Sequence, residues 1–119
     1  MQFRVLIADD DAAQRRFVST MLRAMGHLPE EVEGGEAALA RLKAPAAGAI
    51  SALLLDLNMP DLDGISVLKQ VRAAGFGLPV LVLTSDGSIA RAVDAMRAGA
   101  NDFLVKPVGP ERLEVSLRN

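Results

Sequence analysis

Four apolar residues, Ala52-Leu53-Leu54-Leu55, run straight into a carboxylate, Asp56. The Pro- and Gly-punctuated stretch Leu57-Asn58-Met59-Pro60-Asp61-Leu62-Asp63-Gly64 follows. An apolar run this short, with no alternation, suits a strand buried on both faces, and such strands belong to parallel sheets covered by helices. Asp56 then stands at the strand's C-terminal end, where an open α/β sheet forms its crevice. A lone carboxylate there means little, so the question is what else the chain sends to the same edge.

The same alternation recurs along the chain. Phe3 to Ala8 reads as a buried first strand, closed by Asp9-Asp10-Asp11. Residues 12–25 change to helical period, with Phe17, Val18, Met21, Leu22 and Met25 on one face. Asp10 or Asp11 suits the N-cap and Gly26 the C′ position. The segment from His27 to Glu33 carries Pro29, Glu30 and Glu31, which suits only an edge strand, expected to be short or distorted. Glu36 to Lys43 reads as a short helix with Ala38, Leu39 and Leu42 inward, and residues 44–48 as a loop. Ile65 to Ala74 places Ile65, Leu68 and Val71 on a stripe. A fourth strand runs from Leu78 to Thr84. Ser88 is the expected N-cap of a helix over 88–98 with Ile89, Ala92, Val93 and Met96 inward. The strand Asp102-Phe103-Leu104-Val105 stops at Lys106-Pro107. Pro110 opens a last helix with Leu113 and Leu117 on one side. Five strand–helix alternations predict a parallel sheet with helices on both faces, an α/β (βα)5 three-layer sandwich. With strand 2 outermost, the order 2-1-3-4-5 fits, which is flavodoxin-like.

The totals allow one domain: 119 residues, half of them apolar, are enough for a single core. A net charge of −2 without a basic tract argues against direct nucleic-acid binding. The absence of cysteine excludes disulfides and thiolate metal sites. No segment has the length of a membrane span or a signal peptide, so a cytoplasmic protein is expected. The chain ends at Asn119 inside the last expected helix, as a domain within a longer protein would.

In a parallel sheet all C-terminal strand ends share one edge. Asp9, Asp10 and Asp11, then Asp56, then Thr84 and Ser85, then Lys106 would meet there. Each has a bland reading: a turn acid, an N-cap, a β-branched strand end, a solvated strand stop. His27 and the core-stripe residues Met21, Met25 and Met96 add no chemistry. Carboxylates crowded from two strands repel one another unless a proton or cation intervenes. Oxygen ligands without His or Cys suit Mg²⁺. Asp56 is then a candidate nucleophile for an acyl phosphate, with Lys106 neutralising phosphoryl oxygens and Thr84 donating a hydrogen bond.

From Arg4 to Leu117 the chain resembles the receiver domain of two-component response regulators. The marks are Val5-Leu6-Ile7-Ala8-Asp9-Asp10-Asp11, Leu55 to Gly64, Leu83-Thr84-Ser85, and Gly99 to Pro107. The resemblance implies that Asp56 is the phosphoacceptor. It implies that Asp10 holds Mg²⁺ directly and Asp9 through water, with the backbone carbonyl of Asn58 a further ligand. Thr84 and Lys106 would contact the phosphoryl group, and the Lys106–Pro107 bond would be cis. Thr84 and Phe103 would form the switch, Phe103 lacking a phenol hydroxyl. Asn58 and Asp86 stand where the family tunes acyl-phosphate lifetime. The implied partners are a sensor histidine kinase, an output domain, and a second copy through the fourth helix, fifth strand and fifth helix. The domain would signal rather than act as an enzyme on an external substrate. Residues 89–107 are similar to receivers preceding the ATPase and DNA-binding modules of sigma-54-dependent activators. Rival readings are a receiver-shaped interaction module that no longer takes phosphate, a phosphoaspartyl hydrolase and a flavin carrier. The hydrolase wants a second Asp where Asn58 stands, and the flavin phosphate would be repelled by Asp9-Asp10-Asp11.

Overall fold

The computed structural model describes residues 2–44 and 48–119. Its strands are β1 (Arg4–Ala8), β2 (Leu28–Val32), β3 (Ala52–Asp56), β4 (Val80–Thr84) and β5 (Asp102–Val105). They alternate with α1 (Ala12–Ala24), α2 (Gly35–Leu42), α3 (Gly64–Ala73), α4 (Ile89–Arg97) and α5 (Pro110–Arg118). The strands form one parallel sheet of order β2-β1-β3-β4-β5, as the alternation and the edge argument predict. The loop expected over 44–48 falls partly outside the described residues, at 45–47. No helix among the described residues is long and apolar enough to cross a membrane.

The two-residue period of a strand divides the core into two layers. Leu6, Ala8, Leu53, Leu55, Val80 and Val82 face α2, α3 and α4, where Ala38, Leu39, Val67, Leu68, Val71 and Ala95 meet them. Val5, Ile7, Ala52, Leu54, Leu81 and Leu83 face α1 and α5, where Val18, Leu22, Leu113 and Leu117 meet them. This parity governs the C-terminal edge. Asp9, Asp56 and Lys106 continue the series that faces α1 and α5. Thr84 continues the other series, and Phe103 packs with that layer.

The second strand is neither short nor distorted, contrary to expectation. All five residues of β2 pair in register with β1, from Arg4 with Leu28 to Ala8 with Val32. Its two glutamates point to opposite faces, and each finds cations. Glu30 accepts from Arg41 Nε at 2.7 Å and from Arg4 Nη1 at 3.0 Å. The bond from Arg41 leads the causes that hold the Glu30 carboxyl below its ordinary value. Glu31 accepts from Ser19 Oγ at 2.8 Å and lies 3.4 Å from Arg15 Nε. Pro29 fits because an edge strand leaves alternate amides unpaired.

The capping expectations hold at three helix ends. Asp11 caps α1, accepting from Ala13 N and Gln14 N. Ser88 caps α4, accepting from Arg91 N. Gly26 follows α1 with φ +87°, the left-handed backbone that glycine tolerates.

The inward face expected of α4 is wrong. Ile89 is 83% exposed, and Val93, Met96 and, on α1, Phe17 are also exposed. Ala95 alone is buried in α4. The helical stripe is real, but the small residues Ala95 and Ala100 do the packing, and the larger side chains face outward. Amphipathic spacing reveals that a helix has an apolar face, not what covers it. Met96 is therefore off the core, whereas Met21 and Met25 pack against it. The contrast has a stability consequence. Leu68→Ala, in the core, should cost about 2–5 kcal/mol. Ile89→Ala should change stability by no more than about 0.5 kcal/mol. Urea unfolding of the two variants checks this, and a comparable loss for both would mean that α4 packs on its large side chains.

Candidate functional site

Strand register brings the acidic residues together. Ala8 pairs with Leu55, so the next residues, Asp9 and Asp56, end neighbouring strands side by side. Both are nearly buried, at 3% and 5% exposure, while Asp10 is exposed beside them. A carboxylate oxygen from each of Asp9, Asp10 and Asp56 lies within 4.8 Å of the others. Lys106 reaches in from the end of β5. Its Nζ stands 3.0 Å from Asp9 Oδ2 and 3.4 Å from Asp56 Oδ2. The Lys106–Pro107 peptide is cis, as expected.

Burial raises the Asp56 carboxyl to about 6; the amide of Asn58 opposes the rise, Asp9 adds to it and Lys106 opposes it. Asn58 N donates to Asp56 Oδ1 at 3.1 Å. Burial alone would lower Lys106, but Asp9 and Asp56 more than offset it and hold the ammonium above its ordinary value. The lysine is thus a fixed positive charge between two carboxylates. Asp9 is gripped on its other side, where Oδ1 accepts from Asp11 N at 3.0 Å.

Thr84, fully buried at the end of β4, accepts from Asp86 N at 3.0 Å through Oγ1. A hydroxyl that accepts one bond keeps its proton to donate elsewhere. Asp86 Oδ1 in turn accepts from Ser88 N at 3.0 Å, which ties the strand end to the start of α4. Phe103 is half-buried on the Thr84 side of the sheet. Val82 pairs with Phe103 and Thr84 with Val105, so the two are diagonal neighbours. Asn58 and Asp86 line one open cavity of about 670 Å³ together with Met59, Asp63 and Arg91.

The loop after Asp56 is held by residues whose part sequence reasoning missed. Asp61 reaches across to the start of α2 and accepts from Gly35 N at 3.3 Å and Glu36 N at 3.2 Å. Asp63 caps α3, accepting from Ile65 N at 3.2 Å. A Cβ on Gly64 would lie 2.6 Å from the backbone oxygen of Asp56, so only glycine lets the chain pass so close. The signal was present as Asp-x-Asp-Gly ahead of a helical period. What it lacked was any hint that Asp61 caps a different helix.

The oxygen-only donor set and its spacing suit a hard divalent cation, and no His or Cys competes. Comparison with known proteins gives the family. The family profile described as the response regulator receiver domain matches residues 5–118. Response regulator MprA of Mycobacterium tuberculosis is 39% identical over 118 residues, covering 99% of this chain and 50% of that protein. Response regulator protein FleR of Pseudomonas aeruginosa is 44% identical over 107 residues, covering 90% of this chain and 22% of that protein. The chain thus spans half the length of the one and less of the other. The structure of chemotaxis protein CheY4 of Vibrio cholerae superposes with a TM-score of 0.88 at 31% identity, over 99% of this chain and 98% of that one.

The raised carboxyl has a consequence for stability. In the unfolded chain Asp56 has its ordinary value of 3.8, and in the fold about 6. The folded state therefore binds the proton more tightly, and this group's contribution to stability falls as pH rises through that interval. Glu30, Asp61, Asp102 and Glu114 are shifted the other way, but they are common to parent and variant and cancel in a difference. Asp56→Asn should therefore exceed the parent in stability in metal-free buffer above about pH 6, with the gap closing toward about pH 4. Thermal unfolding in EDTA across that range checks this, and a gap that ignores pH would refute it.

Proposed function

The chain belongs to the response regulator receiver domain family, and from that premise we propose that Asp56 accepts a phosphoryl group from a sensor histidine kinase. The observation that carries the reading is the cluster of Asp9, Asp10 and Asp56 oxygens with Lys106 against two of them. Asp9 and Asp10 would hold Mg²⁺ with Asp56 and the Asn58 carbonyl. Once bound, Mg²⁺ supplies positive charge opposite the phosphoryl oxygens. Asp56, ionised above pH 6, provides the attacking oxygen. Its new P–O bond forms as the P–N bond of the donor phosphohistidine breaks, and the imidazole leaves as the neutral base on taking a proton. Lys106 stays charged throughout and neutralises a second phosphoryl oxygen. Thr84 donates its free hydroxyl proton to a third.

The output of this reaction is a change of conformation, not a released product. A phosphate on Asp56 adds negative charge and strong acceptors. Drawing Thr84 toward it breaks the bond from Asp86 N and loosens the tie to α4 through Ser88. Phe103, on the Thr84 side, moves into the space vacated. Its lack of a hydroxyl leaves packing alone to hold it there. Asn58 and Asp86, two residues beyond Asp56 and Thr84 and lining one open cavity, control access of water to the acyl phosphate. The exposed line of Ile89, Val93 and Met96 on α4, with Val105 on β5 and Val115 on α5, supports an output face for a partner or a second copy. In a longer cytoplasmic protein that partner is a transcriptional output domain. The narrower reading of a sigma-54 ATPase and DNA-binding module rests on the resemblance in residues 89–107.

Acetyl phosphate with Mg²⁺ should add one alkali-labile phosphoryl group, read by intact mass. EDTA or Asp56→Asn should abolish the gain, and Lys106→Ala or Thr84→Ala should uncouple uptake from the change in α4 seen by hydrogen exchange. No uptake by a folded protein that binds Mg²⁺ would overturn the phosphoacceptor role and leave a phosphate-independent interaction module.

A further inference from the structure

The pair of glutamates on β2 looks out of place in a strand, and one of them leads to the acid cluster. Glu31 accepts from Ser19 Oγ at 2.8 Å and faces Arg15 Nε at 3.4 Å. Arg15 Nη2 lies 4.0 Å from Glu33, which is 88% exposed and adds little. The Arg15 side chain itself is only 12% exposed. Its remaining nitrogen, Nη1, donates to the backbone carbonyl of Asp9 at 2.7 Å. A charge-assisted bond of that length is among the stronger ones a carbonyl can accept.

Asp9 is then held at every polar atom. Its amide donates to Val32 O at 3.3 Å, its carbonyl accepts from Arg15, Oδ1 from Asp11 N and Oδ2 from Lys106. Three of those holders serve other needs as well, in the sheet, the α1 cap and the phosphoryl site. Arg15 is the one that grips Asp9 at its backbone carbonyl, with Glu31 against another nitrogen of the same guanidinium. From this we infer that Arg15, aimed by Glu31 and Ser19, is a positioning residue that fixes the Asp9–Asp10 peptide and thereby sets the affinity of the acid cluster for a divalent cation.

Geometry and simple electrostatics predict opposite signs here. A positive charge beside the cluster disfavours a second cation, so removing it should tighten binding if charge alone mattered. If Arg15 acts by holding the peptide, removing it lets Asp9 and Asp10 wander and weakens binding. Groups that orient metal-ligating residues in this way typically change affinity by about tenfold or more. Lysine keeps the charge but carries its three donors on a single nitrogen rather than across a planar fork, so it cannot span Glu31 and the Asp9 carbonyl together.

The inference rests on the proposal that Asp9 and Asp10 hold Mg²⁺, and the test separates the two. Mg²⁺ alone is titrated by calorimetry into the unphosphorylated parent and into Arg15→Gln, Arg15→Lys, Glu31→Gln and the Arg15→Gln/Glu31→Gln double variant. Thermal unfolding in EDTA confirms that each is folded. The expected result is about a tenfold rise in Kd for both Arg15 variants. A smaller rise is expected for Glu31→Gln, and none beyond Arg15→Gln for the double. Unchanged or tighter binding by folded Arg15→Gln overturns the inference while the acid-site reading stands. Should Arg15→Gln not fold, parent-like affinity in Arg15→Lys and Glu31→Gln overturns it equally. No Mg²⁺ binding by the parent overturns the acid-site reading and the inference with it.

Discussion

Two carboxylates in near-complete burial, on adjacent strand ends, are the constraint to which the rest of this structure answers. Repulsion between such groups is strong where water is scarce. Lys106 relieves it from 97 residues away along the chain. For the lysine to arrive, β5 must lie two strands from β3, and β4 between them must not block the way. Alternation along β4 sends Thr84 to the opposite face, which leaves the α1 side of the edge to the lysine. The strand order, the register and the parity of side chains thus serve one electrostatic need. Compensation is incomplete, because burial still holds Asp56 at about 6. A site in that state has use for more positive charge.

Charge on the neighbouring edge strand is handled differently. Glu30 and Glu31 bring carboxyl groups into positions that a typical strand fills with Val or Ile. Arginines on both helical layers meet them, Arg41 on one side and Arg15 on the other. These ion pairs make β2 as regular as its apolar neighbours. They also join the outermost strand to the site, since Arg15 spans the distance between Glu31 and Asp9.

Much of this was legible in the residues. Apolar runs ending in Asp9, Asp56, Thr84 and before Lys106 reveal both the sheet and its edge, because a period of two and a short run length admit few alternatives. Asp11, Ser88 and Gly26 were readable because caps obey local rules. Three kinds of feature were not. The regularity of β2 depends on Arg15, Arg4 and Arg41, which sequence spacing does not link to Glu30 or Glu31. The trans-cap of α2 by Asp61 is a contact 25 residues distant. The outward face of α4 failed because Ile89, Val93 and Met96 obey the period of a core stripe while the neighbouring alanines take the core. Local rules read local structure; these misses all depend on which element stands opposite.

That last feature has a meaning for motion. A helix packed through Ala95 and, just past its end, Ala98 and Ala100 has less to lose by sliding than one packed through large side chains, since each methyl group's burial is worth on the order of 1 kcal/mol. Its large apolar residues are already exposed, so burying them does not hold the helix in its seat. Polar bonds hold it at both ends, through Ser88, Asp86 and Thr84 at the start and through Arg72 on the carbonyl of Gly99 just past the finish. On the proposed reading, a phosphoryl group on the Thr84 side is a small weight at one end of a beam.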